Sequence, residues 1–116
     1  MGWVGSNRAT AADNTSAATV EVPKGQEKYA VSIYAVDDNG DISTPGAGTV
    51  ALTAQMRGAP SAETVYGSDG TTAVSVDLTA TNPKTVSVQG FNVDSFIATP
   101  SSLSANHRVV MVVEHA

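Results

Sequence analysis

The sequence predicts an all-β domain: an antiparallel β-sandwich, Ig-like or jelly-roll-like, with seven or eight strands and an extended N-terminal arm. Three observations carry that expectation. Val, Thr, Ser, Ala and Gly dominate while Leu, Lys and Glu are scarce, and β-branched side chains suit a pleated sheet better than a helix. From residue 17 onward the apolar positions recur with period two. Turn-forming residues interrupt these runs about every ten residues, the spacing of short antiparallel strands. A chain of 116 residues supports one core of this kind.

Residues 1–16, "MGWVGSNRATAADNTS", are small and polar with no sustained period and are read as a flexible arm, leaving residues 17–116 as the sandwich domain. Trp3 is the large apolar group of the arm. With Val4 and Arg8 it forms the candidate partner-contact set, because a tryptophan on an arm needs a surface to dock on, either its own domain or a neighbouring subunit or partner. That reading expects residues 1–16 to order on assembly, burying Trp3 against another chain.

The strands follow in order. "ATVEV" sets Ala18, Val20 and Val22 on one face against Thr19 and Glu21. "YAVSIYAV" sets Val31, Ile33 and Ala35 against Ser32 and Tyr34. In "TVALTAQM" the inward set is Val50, Leu52, Ala54 and Met56. "AVSVDLT" buries Val74, Val76 and Leu78, "TVSVQGF" buries Val86 and Val88, and "VDSFIAT" is mixed. The last run, "RVVMVVEH", is apolar on both faces, as a central strand is. Between the runs lie "PKGQ", "DDNGD", "TPGAG", "RGAPS", "YGSDGT", "TNPK" and "TPSSLSAN", each with residues that supply turn geometry.

Composition excludes several classes. The formal charge is −5, and the cations (Arg8, Lys24, Lys28, Arg57, Lys84, Arg108) are scattered along the chain. A nucleic-acid binder needs a basic face, so direct binding to DNA or RNA is not expected. Without cysteine there is neither a disulfide framework nor a thiolate zinc site. The start lacks the pattern of a secretory signal, and no apolar run reaches the ~20 residues that cross a bilayer. The expectation is a soluble protein made in a cytoplasm, with no membrane partner.

The segment "AVDDNGDIS" raises a calcium loop as one reading. An EF-hand loop starting at Asp37 fits Asn39 and Asp41, but then needs Gly and Glu where Ile42 and Gly48 stand. Asn39-Gly40 reads instead as a hairpin tip in which both residues tolerate positive φ, with a cation site of another kind on the loop carboxylates as the alternative. His107 and His115 stand about 27 Å apart on an extended strand, too far to share a metal within one chain. No G-x-S-x-G elbow occurs, and no serine sits in a distinctive frame beside a histidine. The glycine-rich turns lack the helix that would cradle phosphate. No catalytic, cofactor or metal residues are assigned, and the expectation is a non-enzyme.

The stretches "VSIYAVDDNGDISTPGAGTVALTAQMRG" and "VQGFNVDSFIATPSSLSANHRVVMVVEH" resemble small structural proteins of tailed bacteriophages. Such proteins carry a strand entering an "A-V-D-x-N-G" bend, then "T-P-x-A-G-T-V", and later "D-x-F-x-x-T-P-S-x-L" before a hydrophobic last strand. The resemblance covers residues 31–115. It implies a virion decoration or cement protein, or a small fibre or tail component, made in the host cytoplasm. Its implied partners are the major capsid protein or another virion protein and further copies of itself, a trimer by the habit of such proteins. The competing class is a carbohydrate- or protein-binding Ig-like module, for which Tyr34 and Tyr66 are the candidate sugar platforms.

Overall fold

The computed structural model describes residues 4–66, 71–80, 82–89 and 93–116. These hold nine β-strands and no helix: β1 (Gly5–Thr10), β2 (Ala18–Glu21), β3 (Lys28–Val36), β4 (Thr49–Met56), β5 (Glu63–Thr64), β6 (Ser75–Asp77), β7 (Lys84–Gln89), β8 (Val93–Ser101) and β9 (Arg108–His115). They form two antiparallel sheets. One runs β1-β9-β3-β7; the other runs β2-β8-β4-β5, with β6 also on β4.

The period-two runs become strands because each supplies one apolar face to a shared core. Val31, Ile33, Met111 and Val113 come from the first sheet, and Val50, Leu52, Phe96 and Ala98 from the second; all belong to one buried cluster. Removing each of these side chains except the small Ala98 from water contributes roughly 1.5–3 kcal/mol against the entropy of ordering the chain. Tyr29 and Phe96 meet edge to face near its centre, with ring centroids 5.1 Å apart. Strand β9 is central in its sheet, between β1 and β3. Its outward Val110, flanked in register by Thr10 and Tyr34, is as fully buried as its inward neighbours.

The structure departs from the expected arm. Residues 5–10 pair with β9 from Gly5↔His115 to Thr10↔Val110 as an edge strand of the first sheet. Asn14 then donates to the Leu103 carbonyl at 3.1 Å, holding the following segment on the same domain. Alternation is invisible here because the inward positions are Gly5, Asn7, Ala9 and Ala11. None of these is large, and the outward positions are polar. Trp3 lies outside the described residues.

The "DDNGD" bend is a hairpin tip, with one change from expectation. Gly40 has φ of 83°, but Asn39 does not share the positive φ. Gly40 N–H donates to the Asp37 carbonyl at 3.0 Å and Asp37 N–H to the Asp41 carbonyl at 2.9 Å. This is a three-residue loop closed by a left-handed glycine rather than a two-residue one.

Candidate functional site

Of the partner-contact residues named from the sequence, Arg8 falls on β1 and Val4 just before it, while Trp3 lies outside the described residues; the β1 edge is taken as the candidate site. Val4 stands just before the strand and is 72% exposed, the most exposed large apolar side chain among the described residues. Its N–H donates to the His115 carbonyl at 2.8 Å, so the backbone is anchored while the side chain faces solvent. Arg8 lies outward, opposite Val112.

Two features seat β1 closely on the molecule. A Cβ at Gly5 would stand 2.6 Å from His115 Cε1, so only glycine leaves room for that imidazole. His115 is buried, with Nδ1 3.2 Å from Gln26 Oε1. The Asn7 side-chain amide donates to the Glu21 carbonyl at 2.7 Å, bridging the edge strands of the two sheets. Between them runs an open groove lined by Asn7, Arg8, Thr19, Val20 and Glu21.

On its other side Arg8 shares a second hollow, of about 270 Å³, with Thr10, Arg108 and the hairpin tip. Among the described residues Arg8 makes no ion pair, while Arg108 approaches Asp38 at 3.6 Å with both side chains partly in solvent. Two of the six cations of a net-negative chain therefore meet in one hollow. Its sign is mixed, since Asp37 and Asp38 line the rim.

The hairpin carboxylate nearest the strand is already engaged. Asp37 Oδ1 accepts from Asn39 N–H at 2.9 Å and from Asp41 N–H at 3.1 Å. Among the described residues no group of three or more His, Cys, Asp or Glu converges as a metal would need. Asp13 is spent in the same way: Oδ1 accepts the N–H and hydroxyl of both Thr15 and Ser16 at 2.8–2.9 Å. Those bonds, the Ser16 hydroxyl first, favour the carboxylate and hold its pKa down at about 2.

The fold also makes a pairing that linear spacing hides. Ser43 Oγ lies 3.2 Å from His107 Nε2, and His107 Nδ1 lies 3.1 Å from the Ala105 carbonyl. A carbonyl only accepts, so Nδ1 is the donor to Ala105, and Nε2 is the ring nitrogen that faces the serine hydroxyl. Among the described residues the backbone groups of Ser43 are committed to holding its own connection. Ser43 N–H is spent on the Ala35 carbonyl at 3.1 Å, and the Ser43 carbonyl accepts from Asn82 Nδ2. Neither hollow beside the hairpin is lined by Ser43. The contact clamps the connection after β3 to the one before β9. His107 and His115 mark opposite ends of β9 and have separate partners.

The two tyrosines considered for sugar binding are not brought together. Tyr34 lies in the first sheet opposite Val110, whereas Tyr66 bridges Ala73 beside the second. Tyr66 is 53% exposed and Tyr34 is only half-buried, without a common hollow among those described. Compared with known families and with curated proteins, the chain matches none.

Proposed function

We propose that the chain is a non-enzymatic structural protein of a tailed-bacteriophage virion, a capsid decoration or cement protein that binds and stabilises the head shell. The observation that carries this reading is the sequence resemblance over residues 31–115. Its segments take in most of β3 with its hairpin tip, β4, β8 running into the buried Leu103, and β9. The two sheets are read as a β-sandwich of Ig-like or jelly-roll-like type. A cysteine-free core keeps such a shell protein independent of redox state, and net negative charge keeps it soluble before assembly. The partners proposed are the major capsid protein and further copies of the chain as a trimer, with Val4 and Arg8 at the contact.

The separation of Tyr34 from Tyr66 weighs against the sugar-binding alternative, since no shared aromatic platform forms. Co-sedimentation with purified particles tests the reading. The chain is expected to travel with intact heads and to raise their thermal stability. Absence from particles, or binding to a glycan array that is lost in Tyr66→Ala, would replace it.

A further inference from the structure

The open edge of β1 has unmet backbone chemistry. Ala11 N–H donates to the Val109 carbonyl at 2.8 Å, which makes Ala11 and Val109 a hydrogen-bonded pair of the β1–β9 ladder. Antiparallel pairs alternate, so Ala9↔Met111 and Asn7↔Val113 are bonded pairs as well. The N–H and C=O groups of Ser6, Arg8 and Thr10 therefore turn away from β9, and no other described strand pairs with them. β1 holds no proline, bulge or lysine of the sort that blunts an edge. The opposing β2 edge is shorter and has its Glu21 carbonyl already taken by Asn7.

The same residues carry charge. Arg8 presents its backbone to the open edge and also lines the hollow it shares with Thr10 and Arg108. Asp38 offers Arg108 only a loose, half-solvated contact, so an incoming carboxylate can compete for it. A second copy pairing antiparallel in the register centred on Arg8 would set that residue opposite its own counterpart, and like charges directly opposite destabilise a ladder.

We propose that β1 receives an extended segment of a partner protein as a fifth strand of the β1-β9-β3-β7 sheet, with an acidic side chain of that segment lodged between Arg8 and Arg108. Main-chain bonds to Ser6, Arg8 and Thr10 supply affinity, and the paired guanidiniums supply selectivity for Asp or Glu. The inference uses the edge and its charges alone and holds whether or not the partner belongs to a virion.

The test selects random dodecapeptides displayed on a carrier against the purified full chain, then measures binding of the recovered peptides, made synthetically. Recovered peptides are expected to centre an Asp or Glu in a run of β-forming residues. They should protect the Ser6, Arg8 and Thr10 amides from hydrogen exchange. Binding should weaken by about tenfold or more in Arg8→Glu, which keeps the strand, and in Arg8→Pro, which removes an edge donor, while Lys24→Ala binds as the parent chain does. Replacing the peptide's acid by Lys should restore binding to Arg8→Glu. No enrichment, peptides without an acid, or protection confined to β7 would overturn the proposal. Protection of the same three amides that rises with protein concentration in the absence of peptide would overturn it in favour of a second copy.

Discussion

At the scale of single residues, backbone conformation and local hydrogen bonds set the sharpest constraints. Gly48 has φ of 140°, and a Cβ there would stand 2.7 Å from Leu103 Cδ1 and 2.9 Å from Leu103 Cα. Side-chain movement relieves only the first contact, so Gly48→Ala is expected to cost about 3 kcal/mol in chemical denaturation. Gly40→Ala makes a useful comparison, because its φ is also positive but nothing lies within 4 Å; it should cost less. Asp13 sets an acid-pH expectation. Its native pKa is about 2, below the ordinary 3.8, so the folded state binds its proton more weakly than the unfolded chain. The stabilisation is complete above the ordinary value and disappears as pH falls through about 2. The Asp77 carboxylate is lowered for the same reason, chiefly by the Thr79 hydroxyl. Denaturation midpoints between pH 5 and pH 2 should fall less steeply in Asp13→Ala than in the parent chain; parallel curves would show that the turn bonds do not matter.

At the scale of elements, strands are held in register by alternation and tied at their ends by polar clamps. Arg57, just beyond β4, donates from Nη1 to Asp94 of β8 at 2.8 Å and from Nη2 to the Val22 carbonyl after β2 at 2.9 Å. One guanidinium thus joins three strands at one end of their sheet. It is only partly exposed, at 27%, and its bonds are charge-assisted, so it contributes more than an ordinary surface pair. Arg57→Ala is expected to lower stability by about 1 kcal/mol and Arg57→Lys to recover only part of it, since an ammonium cannot span both acceptors in the same geometry. Element positions were largely legible in advance. The runs read as strands at "YAVSIYAV", "TVALTAQM" and "RVVMVVEH" coincide with β3, β4 and β9 almost residue for residue. "AVSVDLT" shrinks to β6, Ser75–Asp77, though Val76 and Leu78 are buried as their alternation implied. β1 and the two-residue β5 were not legible, since neither carries a row of large apolar residues.

At the scale of the whole molecule, the described residues form an apolar cluster that draws side chains from both sheets. Unfolding is therefore expected to be one cooperative transition, with near- and far-ultraviolet circular dichroism changing together. Phe96 is fully buried and meets Tyr29 edge to face within that cluster. Phe96→Ala should cost about 3–5 kcal/mol by equilibrium denaturation. Separate transitions for the two sheets would contradict the shared core.

What the sequence determined by itself is the part governed by near neighbours: the all-β class, the strands that bury one face, and the hairpin at Asp37–Asp41, because pleat alternation and turn chemistry act over a few residues. What the tertiary structure decided depends on groups far apart in the chain. It laid residues 5–10 along β9 because Gly5 leaves space for His115 and Asn7 finds a carbonyl on β2. It also brought Ser43 to His107 and Arg8 to Arg108. No local pattern encodes those meetings; they follow from which strands lie side by side once both sheets bury their apolar faces together.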